Sequence, residues 1–362
     1  MKILVISNYK SIVTVRPEAE IFIGLAKKGH EITIMTYEGA SYIPRFEEHG
    51  IRVIPFHPTK KRDKESINFI REELIKGEYD VLQMYNSLAY LNGIPAAKGL
   101  PVKVILYRGY TGNIAWYDPF MYLKYFNKIV DAVICNVKAI EELFEKNYFG
   151  KRIIFKTINK GHDISWYQVK ENADLSAYTQ RKDHVKFICT ANDRKMKGVK
   201  YLLEATHHLK EDAPFELFLA GRNMDRPEFL KLIEESPVKD RIHILGFRND
   251  ILEVENNCDV FVLASLYGES ITKAAIEAMA LGKAPLITDI PGNKKLVVSG
   301  ESGIVVPKAD AKALAEGMKE YIYNPELIKK YGKAAQNRIQ TVFHTSKTVE
   351  EYEQFYDDLL SN

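Results

Sequence analysis

The sequence predicts an α/β protein built from two doubly wound domains. Short apolar, β-branched runs alternate with longer amphipathic stretches almost from end to end. The runs are continuous rather than alternating in polarity, as expected of parallel strands covered on both faces. They fall into two series separated by a polar stretch, so each series predicts its own sheet.

The first series is Ile3-Ile6, Ile32-Met35, Val53-Phe56, Val81-Met84, Val102-Leu106, Ala132-Cys135 and Ile153-Thr157. The second is Val185-Cys189, Phe215-Leu219, Ile242-Leu245, Val260-Leu263, Ala284-Ile287 and Gly303-Val306. Expected boundaries are an N-terminal domain over 1–165, a linker over 166–183 and a C-terminal domain over 184–340. A tail over 341–362 is expected to return to the N-terminal domain as a helix. That tail carries Val349, Tyr352, Phe355 and Tyr356 on one helical face.

At 362 residues two domains are the natural expectation, and the chain is long enough to bury cores without disulfides. Lys and Arg total 51 against 48 Asp and Glu, too balanced for a chain whose main partner is nucleic acid. Cys135, Cys189 and Cys258 stand apart in apolar surroundings with no zinc spacing, so they read as buried thiols. The opening MKILVISNYK breaks at Ser7-Asn8 and does not read as a signal peptide. A cytoplasmic location is expected, with a peripheral place at the inner face of the membrane left open.

Absent motifs narrow the chemistry. The sequence contains no GxGxxG, GxxxxGK[ST], HExxH or GxSxG, and no two aspartates separated by a single residue. No metal site and no cofactor are therefore expected.

The informative stretch runs from Ala264 to Lys283. An apolar strand ends near Ser265, a loop holds Gly268 and Glu269, and a helix is expected to begin near Ile271. The backbone N–H groups of Ser270, Ile271, Thr272 and Lys273 then form a helix N-terminus suited to a phosphate. Glu269 precedes that helix and Glu277 lies about two turns into it. Both accept hydrogen bonds and suit sugar or ribose hydroxyls. Glu277 is flanked by Ala274, Ala275, Ile276, Ala278 and Met279, an unlikely setting for a solvated carboxylate.

These residues resemble the retaining glycosyltransferases of family 4, whose E-x7-E pattern is matched by Glu269 and Glu277. The run Glu277-Ala278-Met279-Ala280-Leu281-Gly282-Lys283 continues the resemblance. Thr288-Asp289, Gly292-Asn293 and Gly303 to Pro307 then follow in the family's order. Upstream, Cys258 to Ser265 is similar to its preceding strand. Leu245-Gly246-Phe247, continued by Arg248, resembles the loop facing the nucleotide base. Arg194 and Lys197 fit a variant N-x-R-x-x-K spelling of the pair that holds the donor diphosphate.

The resemblance implies the GT-B fold, two Rossmann-like domains facing across a cleft. It implies transfer with retention from a nucleotide-diphosphate sugar, UDP- or GDP-linked, to a glycan, lipid-linked or small-molecule acceptor. Glu269, Arg194 and Lys197 would act at the reacting sugar and diphosphate. Glu277, Ser270, Ile271, Thr272, Lys273, Phe247 and Arg248 would bind the nucleotide. Two other readings stay open: a non-catalytic sugar-nucleotide-binding subunit, and a phosphorylase or epimerase of the same fold.

The N-terminal half departs from the family. Ile12-Val13 stand where a Gly-Gly loop is usual, and Arg108 stands where many members place a cleft histidine. Arg108 can hold a phosphate, a carboxylate or a sugar hydroxyl, or serve packing. His162, in Lys160-Gly161-His162-Asp163, reads as structural more readily than functional. The segment Trp116 to Lys128 interleaves aromatics with lysine. It fits either an interfacial helix or a packed one, and the packed reading is favoured because aromatic stripes usually mark a core. The basic run His57 to Lys64 reads as a solvated loop.

Overall fold

The computed structural model describes residues 1–268 and 272–361, apart from the side chains of Val13 and Lys294. Glu269, Ser270 and Ile271, all expected at the site, lie outside the described residues. The chain divides into two compact units, Met1–Gly161 with Phe343–Asn362, and His162–Val342.

The first unit holds a seven-stranded parallel sheet. Its strands are β1 (Lys2–Ile6), β2 (Glu31–Met35), β3 (Arg52–Ile54), β4 (Val81–Met84), β5 (Lys103–Arg108), β6 (Ala132–Cys135) and β7 (Ile154–Thr157). Their spatial order is β3-β2-β1-β4-β5-β6-β7, so the winding reverses between β1 and β4. All four residues of β4 and of β6 are buried, as helices on both faces require.

The helix Thr345–Ser361 closes this unit. It buries Val349, Tyr352, Phe355, Tyr356 and Leu359 and packs on the helix Ile12–Lys27. A Cβ at Gly24 would stand 2.4 Å from Val349 Cγ2, so the missing side chain sets how closely these helices approach. Tyr356 donates to Gln83 Oε1 inside β4 at 3.1 Å, and Thr348 donates to the Asn159 carbonyl at 2.9 Å. Both bonds satisfy polar groups that burial would otherwise leave unpaired.

The second unit holds a six-stranded parallel sheet of β8 (Val185–Thr190), β9 (Phe215–Ala220), β10 (Ile242–Gly246), β11 (Val260–Leu263), β12 (Ala284–Thr288) and β13 (Ile304–Val306). Its order is β10-β9-β8-β11-β12-β13, with the reversal between β8 and β11. Open α/β sheets bind ligands outside the carboxyl ends of the strands at such a reversal.

Residues 166–183, expected as a linker from their polarity, lie within the second unit and are pinned there. Leu175 is buried, Ala173 donates its N–H to the Glu253 carbonyl, and Arg181 pairs with Glu216 at 3.3 Å. Glu216 is fully buried in β9 and also meets His184 at 2.8 Å and His243 at 2.6 Å, which offsets the cost of placing a carboxylate inside a sheet. All three cysteines are buried, and burial pushes the Cys189 thiol up to about 12.

The aromatic segment departs from the favoured packed reading. Pro119–Leu123 forms only a short helix, begun by Asp118 and ended at Lys124. One and a half turns are too few to gather the aromatics onto a single buried face. Met121, Tyr125 and Phe126 point inward, whereas Trp116, Tyr117, Phe120 and Tyr122 are exposed.

Candidate functional site

At the reversal of the second sheet, the loops after β8 and β11 are locked together. Leu266 donates its N–H to the Met196 carbonyl at 2.7 Å. Gly198 adopts φ +63, and a Cβ there would stand 2.0 Å from the Ala264 carbonyl oxygen. Only glycine fits both the left-handed backbone and the close approach. Arg194 is exposed at the start of the short turn Lys195–Lys197, and Lys197 is half-buried at its end. The structure therefore brings this basic turn against Ala264 and Leu266, at the start of the stretch 264–283.

Neighbouring loops extend the surface. Asn192 Oδ1 accepts from the Arg222 N–H at 3.0 Å, and the Asp193 N–H donates to the Arg222 carbonyl at 3.0 Å. Asp193 also pairs with Arg226 at 2.7 Å, which fixes the loop next to Arg194. Phe247 is exposed just after β10, with the Arg222 guanidinium 4.9 Å from its ring centre. Arg248, expected to bind nucleotide, makes a two-pronged contact with Asp250 at 2.7 and 2.5 Å.

The helix expected from Ile271 begins later, at Lys273, and runs to Ala280. Thr272 takes an extended backbone and precedes it, and the first intrahelical bond runs from the Ile276 N–H to the Thr272 carbonyl. The first-turn donors are thus Lys273, Ala274 and Ala275, shifted from the expected 270–273. Glu277 is buried, as its apolar flanks predict, and forms an ion pair with Lys273 one turn earlier.

Sequence reasoning missed Glu255. It sits fully buried on the helix Ile251–Asn256, accepts the Thr190 hydroxyl at 2.8 Å, and leaves Oε2 without a hydrogen bond among the described residues. Burial, and secondarily the Glu277 charge, push its carboxyl up to about 8, against the Thr190 bond that lowers it. A signal existed: Glu255 follows Ile251 and Leu252 by four and three residues, on the same helical face.

In the first unit, Arg108 ends β5 and turns back on its own loop. It donates to the carbonyls of Tyr110, at 2.7 Å, and of Gly112, and to Tyr125 Oη at 3.3 Å. Arg108, Tyr85, Asn86, Tyr90, Tyr107 and Tyr125 help line a cavity of about 240 Å³ at the carboxyl ends of β4 and β5. Lys160 is half-buried beside it, 2.8 Å from Glu18 and 4.3 Å from the Tyr107 ring centre. Burial alone would lower its pKa, but Glu18 and Tyr107 outweigh that and raise it.

His162 is buried against Tyr167, its Nδ1 2.5 Å from the phenol oxygen, consistent with a structural role. His57 is not part of a solvated loop. It is buried, stacks on Tyr37 and accepts from Asn86 at 3.0 Å, and burial lowers its pKa.

Comparisons with known proteins match both halves. Residues 171–338 fit the family described as Glycosyl transferases group 1, and residues 19–166 fit Glycosyltransferase Family 4. The N-acetyl-alpha-D-glucosaminyl L-malate synthase of Bacillus anthracis is 26% identical over 59% of this chain and 53% of its own length. A UDP-Gal:alpha-D-GlcNAc-diphosphoundecaprenol alpha-1,3-galactosyltransferase of Escherichia coli is 24% identical over 83% of this chain and 81% of its own. Across the first four such relatives the match spans about half of the relative's length, between 43% and 60%.

Among solved structures, a glycosyltransferase from Rickettsia africae superposes with a TM-score of 0.78 at 20% identity, covering 100% of this chain and 99% of that one. Anabaena HepE in complex with UDP superposes at 0.74 with 18% identity, covering 99% and 100%. With the E-x7-E run, the two family matches and two parallel-sheet α/β units of this type, the chain belongs to the GT-B glycosyltransferases of the family 4 type.

Proposed function

We propose that this chain is a retaining glycosyltransferase that moves a sugar from a nucleotide-diphosphate sugar to a glycan, lipid-linked or small-molecule acceptor. The observation that supports the reading is the lock between the β8 and β11 loops, which holds Met196 and Gly198, in the turn that carries Arg194 and Lys197, against Leu266 and Ala264. The charges of Arg194 and Lys197, with the first-turn N–H groups of Lys273, Ala274 and Ala275, oppose the charge that develops on a departing diphosphate. Glu277 takes the ribose hydroxyls and Glu269 the sugar hydroxyls. Phe247 and the backbone around it face the base, and Arg248 stays with Asp250. The reading names no cofactor.

In the reaction the bond from the sugar's anomeric carbon to the diphosphate oxygen breaks. The acceptor oxygen bonds to that carbon from the same face, and its proton passes to the departing phosphate. Positioning and electrostatics suffice for such a step, with no protein nucleophile. Arg108 and its cavity serve the acceptor side. A UDP-linked donor is favoured by HepE, solved with UDP and with UDP-glucose, and by the UDP-Gal in the name of the Escherichia coli relative. A lipid diphosphate acceptor is favoured by the diphosphoundecaprenol in that name and the diphospho-undecaprenol in that of a Campylobacter jejuni relative.

The test is a thermal-shift titration with UDP, GDP and ADP on wild type and on Lys197→Ala. One nucleotide should raise the wild-type midpoint, by roughly 2.7 kcal/mol of apparent stability at a hundred times its dissociation constant. The variant should respond far less. No shift with any nucleotide, in folded protein, overturns the reading.

A further inference from the structure

Glu255 is tied to both elements that frame the proposed donor site. Its helix, Ile251–Asn256, packs on the helix Lys273–Ala280 that carries Glu277. Its Oε1 accepts the hydroxyl of Thr190, the last residue of β8, from which the chain runs on through Asn192 to the basic turn.

The carboxyl is fully buried, and among the described residues its Oε2 has no hydrogen bond. The groups that face it come from three neighbouring elements. From the helix Lys273–Ala280, Glu277 raises its pKa and Lys273 lowers it, and Lys283 beyond that helix lowers it further. Before β11, the Cys258 thiol is itself kept neutral by burial. Both lysines are engaged elsewhere: Lys273 pairs with Glu277, and Lys283 donates to the Asn256 carbonyl at 2.7 Å.

A carboxylate taken out of water needs more than one hydroxyl donor to hold its charge. The surroundings of Glu255 supply that one donor and a neighbouring carboxylate. Its protonated form therefore fits the pocket, and Glu277 remains the charged member of the pair.

We propose that Glu255 is a positioning residue for donor binding: protonated, it leaves Glu277 to the ribose and the cations of the site to the diphosphate, and its ionisation weakens nucleotide binding. The inference rests on the donor reading given above. Ionisation sets a second negative charge beside Glu277, in a buried setting where like charges repel more strongly than in water. A diphosphate reaching the same cluster then meets that added charge. Linkage makes the effect reciprocal, so a nucleotide that binds while Glu255 is ionised brings a proton in with it.

Calorimetric titration of wild type with UDP, GDP and ADP at pH 7 first selects the nucleotide that binds. Its dissociation constant should rise by at least roughly fivefold between pH 7 and pH 9, the lower end of coupling between linked sites. At pH 8 the binding heats in HEPES and in Tris should differ by the heat of proton uptake, a measurement that needs no substitution. Glu255→Gln should lose the rise and most of the uptake, and it also subtracts the titration of the nucleotide's own phosphate. Thr190→Val removes the hydroxyl that lowers the Glu255 pKa, so its rise should persist and move to higher pH. A packing role for Glu255 produces neither proton uptake nor this displacement. Wild-type and Glu255→Gln profiles that run parallel overturn the inference and leave the donor reading standing. Where Glu255→Gln does not fold, a rise left in place by Thr190→Val overturns it instead. Folded wild type that binds no nucleotide at pH 7 overturns both.

Discussion

The hydroxyl of Thr190, at the carboxyl end of β8, donates to a fully buried oxygen of Glu255 2.8 Å away. That single bond stands against the burial of a carboxyl whose other oxygen has no hydrogen bond among the described residues. Burial first, and the nearby Glu277 charge after it, raise the Glu255 pKa from 4.5 to about 8.

The sign of the consequence follows from proton linkage. Between pH 4.5 and about 8 the folded chain keeps a proton that the unfolded chain has released. Wild-type stability should therefore fall as pH rises through that window, by at most about 1.4 kcal/mol per pH unit from this group. Glu255→Gln should flatten that part of the profile. Denaturant midpoints of the two proteins across the window check it, and parallel profiles would refute the assignment.

Gly198 offers a second test. At φ +63 a side chain adds about 1–2 kcal/mol of backbone strain. Gly198→Ala also drives a methyl group into the Ala264 carbonyl. The two loops should separate locally, so nucleotide response should fall much further than the melting temperature. Calorimetric titration with UDP beside a thermal melt distinguishes this from a general loss of fold.

The third concerns the helix Thr345–Ser361. Gly24→Ala forces a clash with Val349 and should cost about 1–3 kcal/mol, as overpacking does. Adding Val349→Ala removes the obstructing methyls. The double variant should recover part of the loss made by Gly24→Ala, and additive losses in thermal unfolding would show that the contact does not set the approach.

Much of this was legible in the chain. Each of the thirteen apolar runs became a strand, most of them because a strand buried on both faces admits hardly any polar residue, whereas the edge strands β3 and β7 are partly exposed. The buried face of the last helix was readable from Val349, Tyr352, Phe355 and Tyr356, and the burial of Glu277 from its alanine and methionine neighbours. Glu255 was not found, although Ile251 and Leu252 share its face, because a glutamate between Glu253 and Asn256 in so short a helix looks solvated until another element covers it. The late start of the helix at Lys273 depends on the backbone angles of Thr272, which no pattern of hydrophobicity records. The aromatic segment misled because helical spacing carries meaning only if the helix continues, and this one stops after Leu123.

The helix that completes the first unit follows the whole of the second in the chain. During synthesis the second unit has all its residues once Val342 has emerged. The first, although begun at residue 1, still lacks Val349, Tyr352, Phe355 and Tyr356 from its core. On the ribosome the usual order, in which the N-terminal domain matures first, is therefore inverted. The apolar face of the helix Ile12–Lys27 waits until Thr345–Ser361 has been made to cover it.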